Sequence, residues 1–262
     1  MRRYGLCEYF NDMYDLFGDP GLIGTMYALA SAFRKEISNI AGEFPSLLIT
    51  GGQGTGKTEL ARSLMAMYAD PTMGISAIAN PIEEINRFVK EWDRPLMHID
   101  DYVAEIGLNL HEWGNTANCG ILVTSQEEIP TMGEKEVLSI LPVNMGQKIH
   151  DLSGQDKFQC FSEVRESIRR INPESLLLER GMFDAFFAKA LDAATEWLRL
   201  SAIPGPADLK ILRIWAILPA TYLTLAESLP FINYSRLLYL CRAGIAYHDA
   251  ILRNSLEEGG VI

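Results

Sequence analysis

The chain has 262 residues, 48% hydrophobic and 22% charged, with 34 acidic against 23 basic side chains and a formal net charge of −11. This composition excludes a disordered chain. The acidity argues against binding nucleic acid through a broad basic face, so any such contact has to come from a local patch. Cys7, Cys119, Cys160 and Cys241 form no Cys-x-x-Cys pair, and His98, His111, His150 and His248 show no ligand spacing. Neither a disulfide scaffold nor a structural zinc site is expected; reduced thiols in a cytoplasmic protein are. Met1-Arg2-Arg3-Tyr4-Gly5 leads into Glu8, Asn11, Asp12 and Asp15, without the apolar core of a signal peptide. The apolar stretch 211–232 is interrupted by Arg213, Pro219, Glu227 and Pro230, which reads as buried helices rather than a membrane span.

Three zones follow in chain order. Residues 1–43 form an N-terminal helical segment: Asp19-Pro20-Gly21 signals a turn, then Leu22, Ile23, Met26, Tyr27, Ala30 and Phe33 recur at helical spacing. Residues 44–155 alternate short apolar runs with amphipathic helices. Strands are predicted at 46–50, 95–100, 120–125 and 137–143, with a shorter apolar run at 75–79. Helices are predicted at 57–69 and 82–92. Strands separated by helices imply βαβ units, hence a mostly parallel sheet between helices. Residues 156–262 lose the strand pattern. Phe183, Phe186, Phe187, Ala190, Leu191, Ala194 and Leu198 share a helical face; Ile203-Pro204-Gly205-Pro206 breaks the chain; Pro219 is expected to end or kink the next helix; and 232–253 make a last helix before a frayed tail. The fold class is therefore α/β with an all-helical C-terminal region, read as a lid or interaction domain.

Gly51-Gly52-Gln53-Gly54-Thr55-Gly56-Lys57-Thr58 satisfies G-x-x-x-x-G-K-[ST] between a buried strand and an amphipathic helix. Glycines there let backbone N–H groups turn inward around a phosphate, and the helix adds its positive N-terminal end. Lys57 is assigned to the β- and γ-phosphates of ATP, and Thr58 to Mg²⁺. Leu96-Met97-His98-Ile99-Asp100-Asp101 is an apolar strand ending in two acids. Asp100 is assigned to the metal and Asp101 to the attacking water, with Glu105 in reserve and helix capping as the structural alternative for Asp101. His98 lies two residues deeper on the face of Asp100 and reads as a packed core residue.

A third strand ends in Thr124, Ser125 and Gln126, and one of these is expected to face the γ-phosphate, because parallel strands share one C-terminal edge. Arg165 and Arg169, four apart on a predicted helix 161–171, have two readings. One is a finger entering a neighbour's nucleotide site; the other is a solvated face paired with Glu163 and Glu166.

The run Phe44-Pro45-Ser46-Leu47-Leu48-Ile49-Thr50 into the phosphate loop, then Ile99-Asp100-Asp101, then Gly120-Ile121-Leu122-Val123-Thr124-Ser125, resembles the helicase-like ATPase modules of phage and plasmid primase-helicases. These belong among the AAA+ and RecA-like P-loop ATPases. The resemblance covers residues 30–150 and, loosely, the helical tail. It implies a homo-oligomeric ring, often hexameric, with ATP sites between subunits and translocation on single-stranded DNA in the replication of a mobile element. Many relatives have Glu where this chain has Asp101, whose shorter reach bears on hydrolysis rate rather than binding. The turn Thr131-Met132-Gly133-Glu134-Lys135 is the place for a DNA-contacting loop, with Lys135 as its one cation and Lys148 after the next strand. Two other readings stay open. One is an AAA+ loader or remodeller that engages a protein partner through the helical C-terminal region. The other is a small-molecule kinase on the same scaffold.

Overall fold

The computed structural model describes residues 6–127, 132–146, 159, 161–163, 165, 183–201, 208–226, 229 and 232–259. Two helices come first, α1 (Leu6–Ser31) and α2 (Arg34–Ala41). Then follow β1 (Ser46–Thr50), α3 (Lys57–Met65), β2 (Gly74–Ser76), α4 (Ile82–Glu91), β3 (Leu96–Tyr102), α5 (Leu110–Thr116), β4 (Gly120–Ser125), α6 (Glu134–Val137) and β5 (Ile140–Asn144). Three long helices close the described chain: α7 (Phe183–Ser201), α8 (Leu209–Leu225) and α9 (Tyr234–Gly259).

The five strands form one sheet in the order β2-β3-β4-β1-β5, and every pair is parallel. β1 and β4 are buried at every residue, as their uninterrupted apolar sequence requires of strands covered on both faces. β4 lies between β1 and β3, so the ends of all three strands meet at one edge. The Tyr27 hydroxyl fastens α1 to this centre: it accepts the Ile121 N–H at 2.9 Å and lies 2.8 Å from the Pro45 carbonyl. Arg34, buried, donates to the carbonyls of Trp113 and Gly114 at 3.0 and 2.8 Å and so adds a side-chain partner to acceptors near the end of α5.

The C-terminal helices share one apolar cluster with the sheet layers, running from Tyr9 to Leu252. α7 packs on α8, and α8 on α1 and α9. α9 reaches α6 and β5, where the buried imidazole of His248 is held at both nitrogens. Its Nε2–H donates to the Val137 carbonyl at 2.7 Å, and Nδ1 accepts from Trp215 Nε1 at 3.2 Å.

Four sequence expectations are corrected. The break near Asp19-Pro20-Gly21 falls at Gly18 (φ 59°), and Pro20 sits in the first turn of the helical stretch that follows, where its missing N–H costs nothing. Residues 134–137 are helical, so β5 starts only at Ile140. β5 accommodates Pro142 because it is an edge strand with one open side. Of the two outcomes expected at Pro219, an end or a kink, the end does not occur: α8 runs through to Leu225, and the residues from Ile214 to Thr221 are all buried, packing that offsets the lost backbone bond. Phe186, expected in the core, is 54% exposed, while Phe183, Phe187, Leu191, Ala194 and Leu198 are buried.

Candidate nucleotide-binding site

The loop between β1 and α3 takes its shape from three glycines at positive φ: Gly51 (144°), Gly54 (79°) and Gly56 (89°). At Gly51 a side chain is excluded on space as well, since a Cβ there would lie 2.9 Å from the Met145 carbonyl oxygen. Thr55 donates to the Gly52 carbonyl at 2.9 Å and staples the loop. Gly51, Gly52 and Thr55 thus form the frame, while Gln53, Gly54, Gly56, Lys57 and Thr58 line a cleft of about 230 Å³. Lys57 is 7% exposed and donates to the carbonyls of Gly51 at 2.6 Å and Gly52 at 2.9 Å. Burial lowers its pKa, opposed by the carboxylates of Asp100 and Asp101.

The far wall of the cleft is Asp100, Asp101, Thr124, Ser125 and Gln126. The pairing of β3 with β4 jumps from Ile99↔Val123 to Tyr102↔Ser125, so Asp100 and Asp101 together oppose the single residue Thr124. Strict alternation would send two neighbouring side chains to opposite faces of the sheet. The bulge, with Asp101 at φ 57°, turns both toward the cleft. Aspartate tolerates that left-handed conformation better than most residues. A strained residue at a bulge beside a cleft is where local strain serves chemistry.

Three donors converge on one oxygen, Asp100 Oδ1. They are the Thr58 hydroxyl at 3.2 Å, the Asp101 N–H at 3.1 Å and the Thr124 hydroxyl. Behind them His98, 3% exposed, places Nε2 at 3.1 Å from Thr124 Oγ1. Burial pushes the His98 pKa down to about 4, partly opposed by Asp100.

The donor set suits Mg²⁺. Thr58 and Asp100 offer hard oxygen ligands beside the phosphate loop, and among the described residues no group of three His, Cys, Asp or Glu side chains forms an all-protein cage. A metal that keeps waters and takes phosphate oxygens needs no more protein ligands than these.

Arg165 does not present a free finger. Its guanidinium is 2.7 Å from Glu59 within the same chain, its side chain is 9% exposed, and Phe161 beside it stacks on Tyr9 of α1. Arg165 is instead engaged in an intrachain ion pair with Glu59, a partner the helical spacing did not suggest; Glu166, one of the two expected partners, lies outside the described residues. Arg169 and Lys148 lie outside the described residues. Glu105 is exposed and is not among the cleft residues. Of the expected DNA-contacting turn, Met132 is buried with its carbonyl accepting from Ser255, and Lys135 is exposed on α6. Two participants escaped the sequence reading. Glu59 lines the cleft, and His98 reaches Thr124; the two-residue spacing from His98 to Asp100 was the available signal.

Residues 30–128 match the model of the family described as nSTAND3, Novel STAND NTPase 3. The chain is similar to a solved structure described as "SCCmec type IV Cch - active helicase", with a TM-score of 0.67 at 14% identity. That alignment covers 94% of this chain and 51% of the other, so the chain spans about half of that helicase's length. A second structure, "The A form apo structure of NrS-1 C terminal region-CTR(305-718)", aligns at a TM-score of 0.36 and 14% identity, over 88% of this chain and 67% of that one. No curated protein matches the chain. The chain thus has a P-loop NTPase fold of helicase-like architecture. No helix among the described residues is long and apolar enough to cross a membrane.

Proposed function

We propose that the chain is an Mg²⁺-dependent ATPase of a helicase-like motor that acts on single-stranded DNA as a homo-oligomeric ring. The observation that carries the catalytic part is the meeting of Thr58 and Asp100. They are 42 positions apart in sequence, yet their side-chain oxygens are 3.2 Å apart at the mouth of the phosphate loop. In this reading Lys57 and the loop N–H groups hold the triphosphate and stabilise negative charge on it as the terminal phosphoryl leaves. Thr58 and Asp100 would hold Mg²⁺, which when bound would supply charge neutralisation to the triphosphate. Asp101 orients the water and accepts its proton. Ser125 or Gln126, both lining the cleft, contacts the γ-phosphate in this reading. A neighbour's arginine completes the site, and Arg169 is the remaining candidate of the original pair.

Support for the DNA substrate comes from the fold shared with the active helicase. The test is the steady-state ATPase rate with and without single-stranded DNA at low and moderate salt. Stimulation that weakens with salt supports the motor. A rate indifferent to DNA favours the second reading, a loader or remodeller acting on a protein. That reading draws on the exposed Phe186, Trp197 and Leu200 of α7, an apolar stripe unlike a solvated helix face.

A further inference from the structure

We infer that His98 is a positioning residue for the metal-holding carboxylate, acting through Thr124 to fix which oxygen of Asp100 is offered to the cleft. The inference rests on the reading of Asp100 as the metal-holding group.

Asp100 Oδ1 is an acceptor, so the Thr124 hydroxyl beside it has to donate. A hydroxyl has one proton, and with that proton on Asp100 the Thr124 oxygen can only accept. His98 Nε2, 3.1 Å away, is then the donor, which fixes the proton of the neutral imidazole on Nε2. The direct distance from His98 Nε2 to Asp100 Oδ1 is 3.7 Å, too long for a hydrogen bond, so the influence passes through the hydroxyl. His98 and Thr124 are 3% and 2% exposed, so bulk solvent does not reach either group.

The ring is held from behind as well. Gly74 on β2 is paired with His98, and a Cβ there would lie 3.2 Å from His98 Nδ1, so this close approach favours glycine. With the ring fixed, the Thr124 rotor is fixed. With Thr124, Thr58 and the Asp101 N–H all on Oδ1, every hydrogen bond described for the Asp100 carboxylate falls on that oxygen. Oδ2 is left for the cleft. Thr124 is correspondingly committed to Asp100 rather than to a phosphate. Such outer partners typically change metal affinity by roughly 10- to 100-fold.

The experiment is a Mn²⁺ titration of the full chain with a non-hydrolysable ATP analogue present, with free Mn²⁺ read by electron paramagnetic resonance. It is paired with analogue affinity in EDTA. Expected are a roughly 10- to 100-fold weaker Mn²⁺ affinity for His98→Leu and for Thr124→Val, with metal-free analogue affinity unchanged. His98→Gln, which keeps a donor near the position of Nε2, should stay within about threefold of wild type. The double variant His98→Leu/Thr124→Val should be no weaker than either single change, because both cut one relay. Thr124→Val is nearly isosteric and leaves His98 in place, so it reads the relay even if His98→Leu fails to fold. Asp100→Asn separates the two failures. If it leaves Mn²⁺ affinity unchanged, the metal assignment itself is wrong. If it weakens Mn²⁺ binding while Thr124→Val does not, the relay is overturned and the metal assignment stands.

Discussion

Arg165 and Glu59 are joined at 2.7 Å, and Glu59 is the residue after Thr58 on the helix that opens at the phosphate loop. The pair ties the segment beyond β5 to the nucleotide cleft from within one chain. Glu59 is also 2.9 Å from Arg62, so its carboxylate is held from two sides. Arg165→Ala leaves Glu59 partly buried with one partner fewer and should cost about 1–2 kcal/mol, below the cost of a fully buried pair because Glu59 keeps some contact with water. Chemical denaturation measures this. Because the ion pair is intrachain, adding a Lys57→Ala variant to Arg165→Ala should leave the ATPase rate of the mixture no higher than that of Arg165→Ala alone; a rise on mixing would return Arg165 to the role of finger.

Lys57→Ala should abolish turnover, since it removes the one ammonium at the loop, while the thermal midpoint changes little. Retained ATPase activity in that variant would refute the site assignment.

Asp101 combines a positive φ with a place in the cleft, so stability and function should separate there. Asp101→Gly relaxes the left-handed backbone and should gain up to about 1 kcal/mol. The same change should stop hydrolysis while leaving ATP analogue binding intact. Asp101→Asn, which also tolerates the conformation, should lose hydrolysis without the gain in stability. Unfolding curves and single-turnover rates together decide between these outcomes.

The His248 imidazole is buried, and its pKa is pushed down to about 4 from an ordinary 6.5 by that burial. Its neutral form satisfies both nitrogens, one on Val137 and one on Trp215; protonation of Nδ1 would turn the Trp215 contact into two facing donors. Between pH 6.5 and 4 the unfolded chain binds a proton that the folded chain refuses, so stability falls as pH falls through that window. Above pH 6.5 both states are neutral and the penalty is absent. The contribution approaches about 3 kcal/mol at the acid end. Denaturation at pH 7 and pH 4.5 should show His248→Gln with a shallower pH slope than wild type.

Gly244 faces the same tryptophan. A Cβ there would lie 2.1 Å from Trp215 Cη2, with the indole wedged between α8 and α9. Gly244→Ala should cost about 2–3 kcal/mol or more through overpacking. A thermal midpoint unchanged by this substitution would mean that the two helices can part without penalty.

Much of the core fold was legible in the chain. The apolar runs of β1 and β4 fall where continuous hydrophobicity placed them, because a fully buried strand has to be apolar on both faces. The phosphate loop was legible because its chemistry is local: glycines, a lysine and a threonine act within eight consecutive residues. One misreading has a clear cause. Pro219 was weighed by what proline does to an isolated segment, whereas a fully packed helix decides its cost in the folded chain.

Only the tertiary structure decided how Asp100, Thr124 and His98 relate. The insertion of β4 between β1 and β3 brings Thr124 between the loop and the acids, and no local pattern encodes strand order. The bulge at Asp101 turns two adjacent carboxylates the same way, against the period of two that the sequence implies. Arg165 shows the same limit: four-residue spacing announced a helix face, but its partner lies 106 positions away, chosen by packing rather than by periodicity.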